Sequence, residues 1–120
     1  MKLIIAGSRT LKLGGVILHG SLGNFNLDPK EIIEGGAKGV DKYAADYATV
    51  NQIPLKTFHA DWDKHGKAAG PIRNREMAEY ADALLLIWDG ESKGSFNMKR
   101  TMLELNKPVY EVILKTYEKN

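Results

Sequence analysis

The sequence predicts a three-layer α/β domain built on a mostly parallel sheet of about five strands. Short apolar runs of strand length alternate along the chain with segments of helical periodicity, which is the pattern of β-α-β units. The run from Ala83 to Trp88 is apolar without alternation, as in a central strand that helices cover on both faces. The length of 120 residues suffices for one hydrophobic core, so we expect a single domain over residues 1–120.

Five segments have the length and composition of strands. In chain order they are Lys2 to Ala6, Glu31 to Glu34, Leu55 to His59, Ala83 to Trp88 and Pro108 to Ile113. The last begins with a proline, which a strand tolerates at its first position.

Helices are predicted between these strands from apolar residues that recur three and four positions apart. The residues that carry this spacing fall in three groups: Val40, Tyr43, Ala44, Tyr47 and Ala48; Met77, Tyr80, Ala81 and Leu84; and Met98, Met102 and Leu105. Pro108 ends the third helix, because proline cannot continue one. For residues 11–26 we predict a short helix and a loop, since Leu13, Val16 and Ile17 have helical spacing among several glycines.

Composition and charge exclude several classes of protein. The chain is 43% hydrophobic and 27% charged, and its net charge of +2 gives no case for a protein that coats DNA nonspecifically. It has no cysteine, and the apolar run after Met1 is too short for a signal peptide or a membrane span. We therefore expect a cytoplasmic protein without a membrane partner. No His and carboxylate grouping has metal-ligand spacing, so no metal site is expected. No cofactor is predicted.

Glycines and charged residues concentrate directly after four of the predicted strands. These segments are Gly7 to Thr10, Gly35 to Asp41, Asp61 to Lys67 and Asp89 to Ser95. In a parallel sheet all four emerge at the carboxyl edge, where ligands bind at the reversal of strand order. Each leads into a helix whose free N–H groups and positive dipole end attract an anion. The pattern predicts a crevice that binds a phosphate-bearing small molecule.

A fifth segment adds cationic side chains to this crevice. Proline is favoured in the first turn of a helix, so Pro71 is expected to place Arg73 and Asn74 in that turn, beside the bound anion. Arginine suits this role because it pairs with phosphate through two parallel hydrogen bonds.

The predicted ligand-binding residues come from all five segments. They are Gly7, Ser8, Arg9, Gly36, Lys38, Gly39, Asp41, Asp61, Trp62, Arg73, Asn74, Asp89, Gly90, Lys93, Gly94 and Ser95. Simpler interpretations stay open for some of them. Glycines occur in any strand-to-helix turn, and Asp41 could favour its helix through the dipole alone. His59 and His65 are read as a strand-end residue and a solvated loop residue.

These segments resemble a known family. Gly7-Ser8-Arg9, Gly35 to Asp41, the long run Ala60 to Asn74, and Asp89 to Ser95 are similar to YspA-type domains of the SLOG superfamily. The resemblance covers most of the chain except residues 11–28 and the tail. It implies a Rossmann-like fold that binds nucleotides or nucleotide-derived ligands.

The same superfamily includes the LOG phosphoribohydrolases, which cleave the base-ribose bond of nucleoside monophosphates. Arg73-Asn74-Arg75-Glu76-Met77 is similar to their Arg-Lys-x-x-Met motif, which implies a catalytic position for Arg73. In the segment similar to their second motif, Ser95 stands in place of threonine and Met98 in place of the catalytic glutamate. A thioether cannot act as acid or base, nor stabilise an oxocarbenium-like centre as a carboxylate does, so the resemblance leaves catalysis open.

Three functions are consistent with the sequence. The favoured one is a binding module, a sensor or sequestering protein, for a nucleotide-like small molecule. The second is a hydrolase of an N-glycosidic or phosphate bond, in which Asp61, Asp63, Asp89 or Glu91 replaces the missing glutamate. The third is a binder of single-stranded nucleic acid, in which Trp62 and Phe96 stack on bases. The small net charge disfavours this partner.

Self-association is also expected, mainly because LOG-like proteins commonly pair through helices beside the active site. Tyr43, Tyr47, Tyr80, Met98 and Met102 supply more large apolar groups than one side of a five-strand sheet buries. Leftover apolar patches mark interfaces, so we expect a homo-oligomer.

Overall fold

The computed structural model describes residues 1–10 and 15–114 and contains one five-stranded sheet. The strands are β1 (Lys2–Gly7), β2 (Glu31–Glu34), β3 (Leu55–Thr57), β4 (Ala83–Trp88) and β5 (Val109–Ile113). All neighbours pair in parallel, in the order β3-β2-β1-β4-β5. The order reverses between β1 and β4, whose register pairs Leu3 with Ala83 and Gly7 with Ile87. In an open α/β sheet this reversal is where a crevice forms.

Helices cover both faces of the sheet, as the three-layer prediction requires. They are α1 (Gly15–Asn24), α2 (Val40–Val50), α3 (Trp62–His65), α4 (Ala69–Tyr80) and α5 (Lys93–Glu104), with a 3₁₀ turn at Gly66–Ala68 between α3 and α4. None of the described helices has the length and apolar character needed to span a bilayer.

The two core layers follow from alternation along β4, in which all six residues are buried. Leu85 and Ile87 pack in the layer that contains residues of α1 and α2, whereas Leu84, Leu86 and Trp88 pack in the layer that contains residues of α4 and α5. Because both faces are covered, the strand is apolar at every position. The α/β class, the parallel sheet and the placement of five strands are confirmed.

Several predicted boundaries were wrong by a few residues. The third strand ends at Thr57, not His59, and Leu84 lies in β4 because α4 ends at Tyr80. Pro108 precedes β5. The short helix predicted within residues 11–26 is α1, while Leu13 lies outside the described residues.

The start of α4 also differs from the prediction. The 3₁₀ turn runs into α4 at Ala69, so Pro71 is the third helical residue, where its missing N–H costs nothing. Arg73 and Asn74 therefore lie in the second turn of α4 rather than the first.

The apolar surplus inferred from the methionines is absent. Met98 and Met102 are 1% and 0% exposed and belong to the core, because they face the sheet. The large apolar side chains that α5 does expose are Phe96 and Leu103.

Candidate functional site

A cleft of about 480 Å³ opens at the carboxyl edge of the sheet, beside the point where the loops that follow β1 and β4 diverge. Its walls combine the loops after β1 and β2 with residues of α3, α4 and α5. The lining residues predicted from the sequence are Gly7, Arg9, Asp41, Trp62, Arg73, Asn74, Lys93, Gly94 and Ser95. The convergence of separate loops on one crevice is thus present in the fold.

A second concavity of about 580 Å³ adjoins the first. It is lined by Gly36 and Lys38 of the loop after β2 and by His59 and Ala60 after β3. The two share four lining residues: Arg9, Ala37, Trp62 and Arg73. We call the first concavity the α5 lobe and the second the β2 lobe; together they form one cleft.

The loop after β1 is held against β4 by close backbone packing. A Cβ at Gly7 would lie 1.7 Å from the carbonyl oxygen of Ile87, so only glycine fits there. Ser8 is buried behind the cleft, where its hydroxyl accepts a hydrogen bond from the Asp89 N–H at 3.0 Å. Its carbonyl accepts from the Val40 N–H at 3.3 Å. Ser8 therefore joins three segments of the site, and its side chain is already engaged within the protein.

The loop after β2 is shaped by Gly39 and by the buried carboxylate of Asp41. Gly39 has a φ of 74°, and a Cβ there would lie 2.4 Å from the Ser8 carbonyl oxygen. Asp41 Oδ2 accepts hydrogen bonds from the N–H groups of Gly35 at 3.1 Å and Ala37 at 3.3 Å. Burial raises the pKa of Asp41 to about 6, reinforced by the nearby Glu34 and opposed by these hydrogen bonds and by Arg73. Asp41 thus organises the loop from within.

Arg73 and Asn74 connect the two sides of the α5 lobe. The Arg73 guanidinium donates from Nη1 to the Gly35 carbonyl at 2.5 Å and from Nε to Asn74 Oδ1 at 2.9 Å. Asn74 Nδ2 in turn donates to Asn97 Oδ1 at 2.9 Å and to the Gly94 carbonyl at 3.4 Å. This series of hydrogen bonds orients the guanidinium. It uses only some of the five N–H donors of Arg73, so others remain for a ligand. Burial lowers the pKa of Arg73, and the Asp41 carboxylate opposes that shift.

The N-terminus of α5 carries a buried hydroxyl without a partner. Ser92 caps the helix by accepting from the Ser95 N–H at 3.4 Å. Ser95 is 4% exposed and lines the cleft, and its Oγ makes no hydrogen bond to any described residue. Besides the capped Ser95 N–H, the N–H groups of Lys93 and Gly94 at the start of α5 have no intrahelical acceptor, and both residues line the cleft.

The turn before α5 is built by Asp89 and Gly90. The Asp89 carboxylate accepts from the N–H groups of Glu91 at 2.8 Å and Ser92 at 3.0 Å, and these hydrogen bonds lower its pKa. Gly90 follows with a φ of 84°. Neither residue is among those that line the two lobes, and both position the residues that do.

Trp62 forms the wall between the lobes. Asp61 caps α3 by accepting from the Lys64 N–H at 3.1 Å, which sets the start of that short helix. The Trp62 ring lies over Gly70, where a Cβ would be 3.3 Å from Cη2, and the residue is 51% exposed. A flat, half-exposed indole beside a cationic cleft is a surface on which a nucleobase can stack.

Sequence reasoning missed several lining residues. Among them are Ala37, Asn97 and His59. Lys67 is a candidate cation and Met98 the position of the missing glutamate, but neither is in the predicted ligand-binding set. Asn97 and Met98 follow Gly94 by three and four positions, so in a helix they lie on the same face as Gly94, toward the cleft. That spacing is the sequence signal for them. For His59 the signal was its place just after a strand.

The candidate replacement carboxylates lie elsewhere. Asp61, Asp63, Asp89 and Glu91 are not among the lining residues of either lobe, and Asp41 is the sole carboxylate among the lining residues that the structure describes. Phe96, 54% exposed, does not line the lobes either. In residues 1–10 and 15–114, no three His, Cys, Asp or Glu side chains are grouped as metal ligands.

The amino-acid sequence of this chain is similar to a protein family and to a phage protein. A family model described as the YspA, cpYpsA-related SLOG family matches residues 28–65. The chain is 31% identical over 117 residues to the gene 61 protein of Mycobacterium phage D29, a match that covers 90% of this chain and 93% of that protein.

A solved structure has a similar fold. The crystal structure of DNA processing protein A (DprA) from Streptococcus pneumoniae matches with a TM-score of 0.73 and 18% identity. The match covers 92% of this chain and 49% of the other, so this chain spans about half the length of that protein. The Rossmann-like fold implied by the sequence resemblance is confirmed.

Proposed function

The chain belongs to the YspA, cpYpsA-related SLOG family, and on that premise we propose that it binds the phosphate of a nucleotide-like small molecule in the α5 lobe. The bound molecule is sensed or sequestered rather than cleaved. The phosphate lies at the N-terminus of α5, within reach of Lys93, Ser95 and Arg73.

The observation that carries this proposal is the Ser95 hydroxyl. A buried polar group without a hydrogen bond costs about 1–3 kcal/mol, and proteins rarely leave one without a purpose. Ser95 Oγ is such a group, and the residue lines the cleft. It lies one turn into a twelve-residue helix, beside the N–H groups of Lys93 and Gly94, which have no intrahelical acceptor. The oxygens of one phosphate group would accept hydrogen bonds from these donors together.

The charge of the cleft supports an anionic ligand. The described residues that line the α5 lobe include the cations Arg9, Lys67, Arg73 and Lys93 and only one carboxylate, that of Asp41. The whole chain has 17 basic and 15 acidic residues, so positive charge is strongly enriched here. Enrichment of this kind attracts a phosphate and adds charge-assisted hydrogen bonds to it.

The arrangement of carboxylates favours binding over hydrolysis. Met98 lines the cleft where the resemblance to LOG phosphoribohydrolases implies a glutamate. Asp41 is 6% exposed, and its Oδ2 is occupied by two loop N–H groups, so it is poorly placed to reach a glycosidic bond. We therefore propose binding as the function of the cleft.

Calorimetric titration tests this proposal. Wild-type protein is titrated with inorganic phosphate, ribose 5-phosphate, AMP and adenosine at low ionic strength, where phosphate contacts are strongest. The expected result is that AMP binds, that ribose 5-phosphate and phosphate bind more weakly, and that adenosine binds least. Adenosine binding equal to that of AMP, or no binding of any of the four, would overturn the proposal.

A further inference from the structure

The proposed phosphate site at α5 leaves the β2 lobe without an assigned occupant. This lobe of about 580 Å³ is larger than the α5 lobe of about 480 Å³. Pockets for drug-sized ligands span about 300–1,000 Å³, so each lobe alone has room for one nucleotide unit.

The chemistry of the β2 lobe is also that of an anion site. Among residues 1–10 and 15–114, its lining contains Arg9, Lys38, Arg73 and the imidazole of His59, and no carboxylate. In the described part of the chain, no carboxylate oxygen lies within 4 Å of the charged nitrogens of Arg9 or Lys38. The neighbouring Glu34 is 3% exposed, and its Oε1 accepts from the Gly36 N–H at 2.7 Å. Among the described residues, Arg9 and Lys38 therefore have no carboxylate partner.

The two lobes meet at residues suited to contact the middle of a ligand. Arg9 and Arg73 line both lobes, so each can reach an anion on either side. Trp62 also lines both and exposes half of its side chain, which provides a stacking surface at the junction. One continuous molecule can thus contact both lobes across a shared aromatic and cationic wall.

We propose that the ligand is a dinucleotide, with one nucleotide unit in each lobe and a base stacked on Trp62. This inference rests on the proposed function, because it places the first phosphate at the N-terminus of α5. It adds that a second phosphoryl group binds in the β2 lobe, near Lys38 and Arg9. The two units can be joined by a phosphodiester or by a pyrophosphate.

The test compares ligands of increasing size by calorimetry. The ligands are AMP, the 5′-phosphorylated dinucleotide pApA, the pyrophosphate-bridged diadenosine diphosphate, and 5′-phosphorylated oligoadenylates of three to twelve units. We expect at least one dinucleotide to bind about tenfold or more tighter than AMP, as one further charge-assisted contact predicts. The tighter of the two dinucleotides identifies the linkage.

Lys38→Gln locates the second phosphate. This variant is expected to lower the affinity for the dinucleotide more than that for AMP, so that the ratio of the two falls. Lys42→Gln is the matched control, since Lys42 is an exposed lysine four positions away that pairs with Asp46 outside the cleft. It should leave the ratio at the wild-type value.

The outcomes separate this inference from the proposed function. AMP binding without any gain for either dinucleotide, or equal losses for AMP and dinucleotide in Lys38→Gln, would overturn the dinucleotide and leave the nucleotide site standing. Affinity that keeps rising well beyond two units would overturn it in favour of a nucleic-acid strand. No binding of any phosphate ligand would overturn both.

Discussion

Removing the Ser95 hydroxyl is expected to weaken ligand binding without lowering the stability of the fold. In the free protein Ser95 Oγ is buried without a partner among residues 1–10 and 15–114, and an unsatisfied buried hydroxyl costs about 1–3 kcal/mol. Ser95→Ala deletes that group and little else, so the free energy of unfolding should stay the same or rise by about 1 kcal/mol. In the complex the hydroxyl would donate to a phosphate oxygen, and losing that contact should cost about 1.5–3 kcal/mol, a roughly ten- to hundredfold weaker affinity.

The assay is urea unfolding without ligand, together with calorimetric titration of AMP. Thr101→Val is the matched control on the same helix, because the Thr101 hydroxyl donates to the Asn97 carbonyl at 2.7 Å. It should lose about 0.5–1.5 kcal/mol of stability and keep the wild-type affinity. The reasoning is refuted if Ser95→Ala is destabilised as much as the control, or if it binds AMP as tightly as the wild type.

Four further predictions concern the frame of the cleft and its surface. Arg73→Ala should lower both AMP affinity and the free energy of unfolding, each by about 1–3 kcal/mol, because Arg73 has internal partners as well as a place in the cleft; unchanged affinity in calorimetry would remove it from the site. Asp41 has a pKa raised from 3.8 to about 6, so its ionisation destabilises the fold as pH rises through that window, by up to about 3 kcal/mol above pH 6. Urea unfolding from pH 4 to 7 should show this dependence in wild type and not in Asp41→Asn; parallel profiles would contradict it. Gly39→Ala should lower the melting temperature by many degrees, since the φ of Gly39 is 74° and a Cβ there would meet backbone oxygens. Gly20→Ala is the control, because Gly20 has open space around it in α1, and it should be neutral or stabilising by up to about 1 kcal/mol. Similar melting curves for the two variants would contradict the role assigned to Gly39. Light scattering should show a homo-oligomer at micromolar concentration, and Leu103→Ser, on the exposed face of α5, should dissociate it; a monomeric wild type would rule this out.

Much of the fold was predictable because its signals are local. The unbroken apolar run of β4 indicated a strand covered on both faces, and it is buried at every position. Boundaries were less predictable. Helix α4 begins at Ala69, earlier than Pro71 indicates, because a 3₁₀ turn precedes it without a break. The position of a proline gives no signal for such a turn.

The candidate site was predictable at the level of loops and less so at the level of roles. Arg73 and Ser95 were singled out from their segments, and both line the cleft. Asp89 was singled out in the same way, yet its carboxylate is engaged by the turn before α5. A glycine-rich, charged loop looks the same in sequence whether its polar groups face a ligand or hold the loop itself.

The sequence by itself determined the α/β class, the strand-helix alternation and the family, because these depend on periodicity and on residues close together in the chain. Only the tertiary structure decided which polar groups are free to meet a ligand. Whether Ser95 lacks a hydrogen-bond partner, or Asp41 has two, depends on atoms brought within about 3 Å by strand order and helix packing. Periodicity specifies which face of an element is buried, whereas the partner of each buried donor is set by segments far apart in the chain.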